Sequence, residues 1–205
     1  MSEDYYQWKR QTIESYEEHA EGLAEKYNRL GARRDDVQRV LSLADGDKPM
    51  VVELGCGNGR DAQVFLERTD DYIGVDASEN LFELARENTS EGRFVVEDIE
   101  EYVFPKRTDC VVAFASLLHL NRAGVHDVLR RASDALGPNG LVYISLKQGD
   151  YKRGGDTVVD EYGERTFFYY QPEMILELAS GFEPEYLSQQ EYNGSDWFTI
   201  ALRKQ

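Results

Sequence analysis

A chain of 205 residues is long enough for one domain with a sizeable core and short for two, and 41% hydrophobic with 30% charged residues excludes a disordered tail. No apolar run approaches the roughly 18 residues of a membrane span, and the start Met1-Ser2-Glu3-Asp4-Tyr5-Tyr6 lacks the basic-then-apolar layout of a secretory signal. A single cytoplasmic domain over residues 1–205 is expected, and the net charge of −16 argues against a broad grip on nucleic acid, where Lys and Arg neutralise phosphates.

The basic residues are mostly Arg and rarely Lys against 39 Asp and Glu, a balance that hints at a high-salt surface. Cys56 lies in a glycine loop and Cys110 in an apolar strand, so both read as small buried residues and neither as half of a disulfide. Two thiols make no zinc site, and no metal is expected.

From Glu3 to about Ala44, apolar residues recur at three to four positions (Tyr16, Ala20, Leu23, Tyr27, then Val37, Val40, Leu41, Ala44), which predicts two or three helices forming a cap over residues 1–46. After the breaker Gly46-Asp47-Lys48-Pro49, Met50 to Leu54 reads as a buried strand ending in glycines. Helix Asp61 to Arg68, strand Tyr72 to Val75, a helix opening at Ser78-Glu79, strand Phe94 to Val96 and strand Asp109 to Ala115 follow. Helix Val125 to Leu136 and strand Gly140 to Leu146, set off by Gly137-Pro138-Asn139-Gly140, complete the alternation. Strand and helix trading places implies a doubly wound α/β fold with a mostly parallel sheet.

Residues 148–170 break this rhythm. Gln148 to Gly163 is polar and glycine-containing, and Thr166-Phe167-Phe168-Tyr169-Tyr170 is β-prone and aromatic, which suggests an insertion on the substrate side. A helix from Pro172 to Ala179 comes next, and Tyr186 to Tyr192 and Trp197 to Leu202 flank Asn193-Gly194, the dipeptide favoured in a two-residue hairpin.

The informative segment is Glu53-Leu54-Gly55-Cys56-Gly57-Asn58-Gly59-Arg60-Asp61, between a buried strand and a helix. Glycines there let the backbone turn tightly and approach a ligand, with helix-start N–H groups aimed at it. A nicotinamide fingerprint requires glycine at the sixth position; counting from Gly55 that residue is Arg60, so the spacing disfavours a dinucleotide. About twenty residues on, Tyr72 to Asp76 ends a second strand in a carboxylate, the place from which an acid accepts hydrogen bonds from ribose hydroxyls. Phe94-Val95-Val96-Glu97-Asp98 ends a third strand in acids, with Asp98 able to accept from an exocyclic adenine amine.

In these motifs, in the strand Asp109 to Ala115 and in Leu136-Gly137-Pro138-Asn139-Gly140, the chain resembles the class I S-adenosylmethionine-dependent methyltransferase family over roughly Val51 to Leu202. The resemblance implies a Rossmann-like, doubly wound sheet of seven strands with the last antiparallel, S-adenosylmethionine as cofactor, and methyl transfer as the activity. It puts Gly55, Cys56, Gly57, Asn58 and Gly59 around the methionine end, Asp76 and Ala77 at the ribose, Asp98 and Ile99 at the adenine, and Ala115 beside the sulfonium. Glu53 either orders the loop amides or meets the cofactor's amino group through water, and Tyr16 either caps the site or packs. Ser116-Leu117-Leu118-His119-Leu120 is similar to the segment of small-molecule methyltransferases and lacks the Asn-Pro-Pro-Tyr signature of enzymes acting on planar amino groups.

A small-molecule acceptor is therefore expected, reached by in-line displacement. Rival readings are an RNA methyltransferase on the same fold, a regulatory protein that binds the cofactor without turnover, and a nicotinamide oxidoreductase. His119 is the candidate general base, with a structural histidine as its alternative. Tyr169 and Tyr170 are candidates to line the substrate cavity, and Arg153, with Arg165, to meet an anionic substrate; a solvated loop is the plainer reading of both arginines.

Overall fold

The structure, a computed structural model, describes residues 3–205; Met1 and Ser2, which open the acidic N-terminal stretch, lie outside the described residues. In chain order the elements are α1 (Glu3–Glu18), α2 (Ala20–Leu30), α3 (Arg34–Leu43), β1 (Val51–Leu54), α4 (Ala62–Leu66), β2 (Tyr72–Asp76), α5 (Glu79–Asn88), β3 (Arg93–Val96) and β4 (Thr108–Phe114). They continue with α6 (Arg122–Ala135), β5 (Leu136–Lys147), β6 (Asp156–Asp160), β7 (Gly163–Phe167), α7 (Pro172–Leu178), β8 (Phe182–Tyr192) and β9 (Ser195–Lys204).

Seven strands form one sheet in the order β3-β2-β1-β4-β5-β9-β8. Strands β1 to β5 pair in parallel, while β9 runs antiparallel to both β5 and β8, so β9 is the single reversed strand expected from the Asn193-Gly194 hairpin. All four residues of β1 are buried, as a strand covered on both faces must be. The period of two sends Val52 and Leu54 into one core with Val111, Ala113, Val142, Ile144 and the α6 residues Val125, Val128 and Leu129. It sends Val51 into the other, with Cys110, Val112, Tyr143 and Phe65.

Three segments depart from the sequence expectation. The N-terminal cap is α1 and α2; α3, which the periodicity grouped with them, buries Val37 and Val40 in the second core under the sheet. Burying two valines contributes about 1.5–3 kcal/mol each, so α3 is a crossover-side helix of the sheet. Residues 148–170 contain a separate antiparallel hairpin, β6 with β7, whose Val158-Val159 strand is masked in the sequence by flanking acids. It is pinned to α1, because Thr166 N–H donates to Thr12 Oγ1 at 3.0 Å and Ser15 Oγ donates to the Glu164 carbonyl at 2.7 Å. Finally, β5 starts at Leu136, before the breaker, with Asn139 at φ +60° absorbing the irregularity in its pairing with β4.

The sheet order reverses between β1 and β4, so the loops leaving these two strands diverge and open a crevice at their carboxyl ends.

Candidate functional site

The crevice is built on the turn after β1. Gly55, Gly57 and Gly59 all have positive φ (+70°, +55° and +71°), a region closed to most side chains. Gly55 has a second reason to be glycine, since a Cβ there would stand 2.4 Å from the Ser116 Cβ. Ser116 Oγ donates to the Leu54 carbonyl at 2.6 Å and Gly55 N–H donates to the Val75 carbonyl at 2.7 Å, which locks the ends of β1, β2 and β4 together. Ala115, at φ +57°, carries backbone strain at the end of β4, a cost of about 1–3 kcal/mol of the kind that gathers at functional sites. Gly55→Ala is expected to destabilise the protein by at least about 2 kcal/mol, read as a lower midpoint in denaturant unfolding; an unchanged midpoint would refute the close-approach argument.

The cavity above this turn is lined by Tyr16, Glu53, Gly55, Cys56, Gly57, Asn58, Asp76, Ala77, Asp98, Ile99, Ala115 and His119 among the residues singled out from the sequence. Gly59 is not in its wall; a Cβ there would meet Ala85 at 3.1 Å, so this glycine serves the packing of the turn against α5.

Asp76 accepts from Gly57 N–H at 2.8 Å and from Ser78 N–H at 3.0 Å, so the second strand end holds the glycine turn in shape. Burial pushes its carboxyl up, and the backbone donors of Ser78, Gly57 and Ala77 act against that. Ser78 Oγ accepts from Leu81 N–H at 3.1 Å as the N-cap of α5 and donates to Glu17 of α1 at 2.6 Å. Asp98 accepts from Glu100 N–H at 2.9 Å and ion-pairs with Lys9 of α1. Lys9 also meets Glu100 at 2.6 Å; burial works against its charge, and the two carboxylates more than offset it, so its pKa is raised. The cap helix α1 thus holds both acidic strand ends, through Glu17 and through Lys9.

Glu53 is 2% exposed, and its Oε2 accepts from the Tyr72 hydroxyl at 2.6 Å. Burial and the nearby Asp61 push its carboxyl up to about 8, opposed by the Tyr72 hydrogen bond and by Arg60 and Arg33. The Arg33 Nε is buried with no hydrogen-bond partner, and burial lowers the guanidinium pKa. Arg33, Arg60, Asp61 and Lys9 line the cavity too, and sequence reasoning passed over all four. Arg60 and Asp61 directly follow the glycines and were within reach of a motif argument; Arg33 and Lys9 come from polar N-terminal segments with no pattern to mark them.

His119 follows β4 in a single 3-10 turn, Leu117–His119. Its Nδ1 lies 2.8 Å from the Thr166 carbonyl, which only accepts, so Nδ1 carries the hydrogen and Nε2 accepts from the Tyr16 hydroxyl at 2.9 Å. Burial lowers its pKa to about 4, with Arg165 and Lys147 adding to the effect. The imidazole is neutral at physiological pH and its lone pair accepts from Tyr16, the arrangement of the structural histidine that stands as the alternative to a general base.

The aromatic run also sorts differently from expectation. Tyr170 is 0% exposed, donates its hydroxyl to the Leu120 carbonyl at 2.6 Å and belongs to the first core. Tyr169 is half-buried against Gly149, away from the cavity wall, and Arg153 is exposed. Arg165, read from sequence with Arg153 as a solvated residue, is instead buried. Among the described residues no helix is long and apolar enough to cross a membrane, and no cluster of three or more His, Cys, Asp or Glu is placed to hold a metal ion.

Residues 51–140 match a family described as a methyltransferase domain. The chain is 28% identical over 190 residues to an uncharacterized methyltransferase of Geobacillus kaustophilus (strain HTA426), covering 91% of this chain and 83% of that protein. It is 34% identical over 98 residues to the trans-aconitate 2-methyltransferase of Acidovorax sp. (strain JS42), covering 47% of this chain and 37% of that one. The fold is that of Burkholderia thailandensis 1,6-didemethyltoxoflavin-N1-methyltransferase, solved with 1,6-didemethyltoxoflavin and S-adenosylhomocysteine: the TM-score is 0.71 at 22% identity, over 96% of this chain and 86% of that one. The matched domain spans the glycine turn, the Asp76 strand end and β4, the stretch that frames the cavity, and together with these relatives it supports a class I S-adenosylmethionine-dependent methyltransferase.

Proposed function

We propose that this enzyme methylates a small molecule, with S-adenosylmethionine seated along the β1, β2 and β4 ends and the acceptor entering beside the Tyr16–His119 pair, where the α1 cap meets the end of β4. The observation that carries this reading is one cavity lined by a glycine turn with no room for a Cβ at Gly55, by carboxylates at two further strand ends, and by a buried arginine nitrogen without a partner. These features fit the cofactor's ribose, adenine, ammonium and carboxylate groups. Asp76 takes the ribose hydroxyls, Asp98 the adenine amine, Glu53 the ammonium, and Arg33 the carboxylate, while the backbone at Gly55 and Ala115 faces the sulfonium.

The cofactor supplies an activated methyl group, so the chain's own work is to align the acceptor and exclude water, and positioning alone can lower the barrier by roughly 7 kcal/mol or more. Tyr16 donates to His119, so the imidazole lone pair is already engaged in the ligand-free site. An acceptor suited to this wall brings an exposed lone pair of its own at neutral pH. The net charge of −16 and the small acceptors in the names of the trans-aconitate and toxoflavin relatives support a small molecule over RNA.

The test is transfer of a labelled methyl group from S-adenosylmethionine to a panel of organic acids, amines and total RNA. Label in a low-mass product and none in RNA is expected. Label in RNA alone, or no transfer at all by protein that binds the cofactor, would overturn the proposal.

A further inference from the structure

The chain holds 39 acidic residues against 23 basic ones, of which only seven are lysines. On such a surface an unpaired lysine has acids on offer, and several unpaired cations kept together call for a cause. Three cations converge behind the Tyr16–His119 wall, two of them, Lys26 and Lys147, without an acidic partner among the described residues. Lys147 ends β5 with its Nζ 5.6 Å from the Phe167 ring centroid and 5.8 Å from that of Trp197. The Arg165 guanidinium lies 5.7 Å from the same Phe167 ring, 5.8 Å from Tyr162 and 5.5 Å from Tyr16. Lys26 of α2 stands 4.5 Å from the Tyr162 ring. Phe167 therefore joins Lys147 to Arg165, and Tyr162 joins Arg165 to Lys26.

Of the three, only Arg165 has a carboxylate partner, Asp160, which it meets through Nη2. Among the described residues, neither the Lys26 nor the Lys147 ammonium makes an ion pair or a hydrogen bond. Arg165 is 5% exposed, and its Nε has no hydrogen-bond partner. Burial lowers the Lys147 pKa and the charges of Lys26 and Arg165 lower it further, so the three repel one another. Cation–π contacts at exposed sites return only about 0.5–1 kcal/mol each, which makes a purely structural role a poor account of three convergent cations. Phe167 packs 4.8 Å from the His119 ring and Arg165 lies against Tyr16, so the cluster adjoins two residues of the cavity wall without itself lining the cavity.

We propose that Lys26, Lys147 and Arg165 form the specificity subsite for the methyl acceptor, holding an oxyanion, carboxylate or phosphate, that the acceptor carries. The acceptor then reaches the Tyr16–His119 wall with its other end. The assignment of the anion to the acceptor rests on the methyltransferase reading above; the anion site itself does not.

Trp197 reports on Lys147, so its fluorescence is followed in a Trp8→Phe background, titrating citrate and inorganic phosphate, with chloride as the ionic-strength control. Both ligand-free protein and protein saturated with S-adenosylhomocysteine are used. A saturable change with citrate or phosphate, absent with chloride, is expected, with the half-saturation point at least about five-fold higher in Lys147→Gln and in Lys26→Gln. The order of citrate and phosphate separates the two sources of the oxyanion. A response that follows chloride, or equal half-saturation in wild type and both variants, would overturn the proposal. Calorimetric affinity for S-adenosylhomocysteine should be the same in both lysine variants; failure of the parent protein to bind it would sink the cofactor assignment and leave the anion titration readable by itself.

Discussion

Asp76→Ala should lose at least about 100-fold in affinity for S-adenosylhomocysteine. On the proposed assignment the carboxylate takes two ribose hydroxyls, and hydrogen bonds to a charged group contribute about 1.5–3 kcal/mol each. A second loss adds to this, because the same carboxylate holds Gly57 N–H at 2.8 Å and Ser78 N–H at 3.0 Å and so keeps the glycine turn in its positive-φ path. Asp76→Asn is the milder change: it keeps an acceptor for one of the two backbone donors and sets an amide N–H₂ against the other, so binding should fall to an intermediate level and the melting temperature should fall as well. Calorimetric titration of both variants checks this. Parent-like affinity in Asp76→Ala would remove the ribose from this strand end.

Glu53→Gln is expected to pull stability and binding in opposite directions. The carboxyl has a pKa of about 8 in the folded, ligand-free protein against an ordinary value of 4.5. Between these two values the folded state keeps a proton that the unfolded chain gives up, so stability falls as pH rises through that window, and the loss is complete above it. A glutamine, which still accepts from Tyr72, carries no such titration. The variant should match the parent near pH 4.5 and exceed it at pH 9 by on the order of 4 kcal/mol, or on the order of 10 °C in melting temperature for a domain of this size. Cofactor affinity should drop, since the amide cannot take the charge that faces the cofactor's ammonium. Thermal unfolding from pH 4.5 to 9 reads the first effect; melting curves that keep a constant offset at every pH would contradict the buried-carboxyl account.

The parts of this molecule that sequence reasoning reached are those where one residue type answers a local demand. Gly55 is needed for its φ and its contact with Ser116, Asp76 ends a strand whose other residues are apolar, and Asn193-Gly194 suits a tight hairpin. The same reasoning misplaced residues whose role depends on which face is covered. Tyr169 and Tyr170 read alike, and the pleat sends Tyr170 into the core beneath Leu120. Arg153 and Arg165 read alike as loop cations, yet β7 carries Arg165 inward among Tyr16, Tyr162 and Phe167. The α3 helix has the periodicity of α2, and only the sheet beneath it distinguishes a core helix from a cap. Lys9 and Arg33 gave no signal because their partners, Asp98 and the buried acids around Glu53, are distant in sequence and meet them only in the folded cavity.

Burial also bears on the two readings of His119. In the sequence it is the one histidine beside a strand end and a natural proton acceptor; in the fold Thr166 fixes its tautomer and Tyr16 occupies its lone pair. A site that positions without a strong base suits transfer from a sulfonium, where the leaving group is already activated.

The most direct test of the whole account is calorimetric titration of the intact chain with S-adenosylmethionine, S-adenosylhomocysteine and NAD. Saturable binding of both sulfur compounds and none of NAD is the predicted result. Binding of NAD with neither sulfur compound would contradict it and return the turn at Gly55 to Gly59 to a dinucleotide.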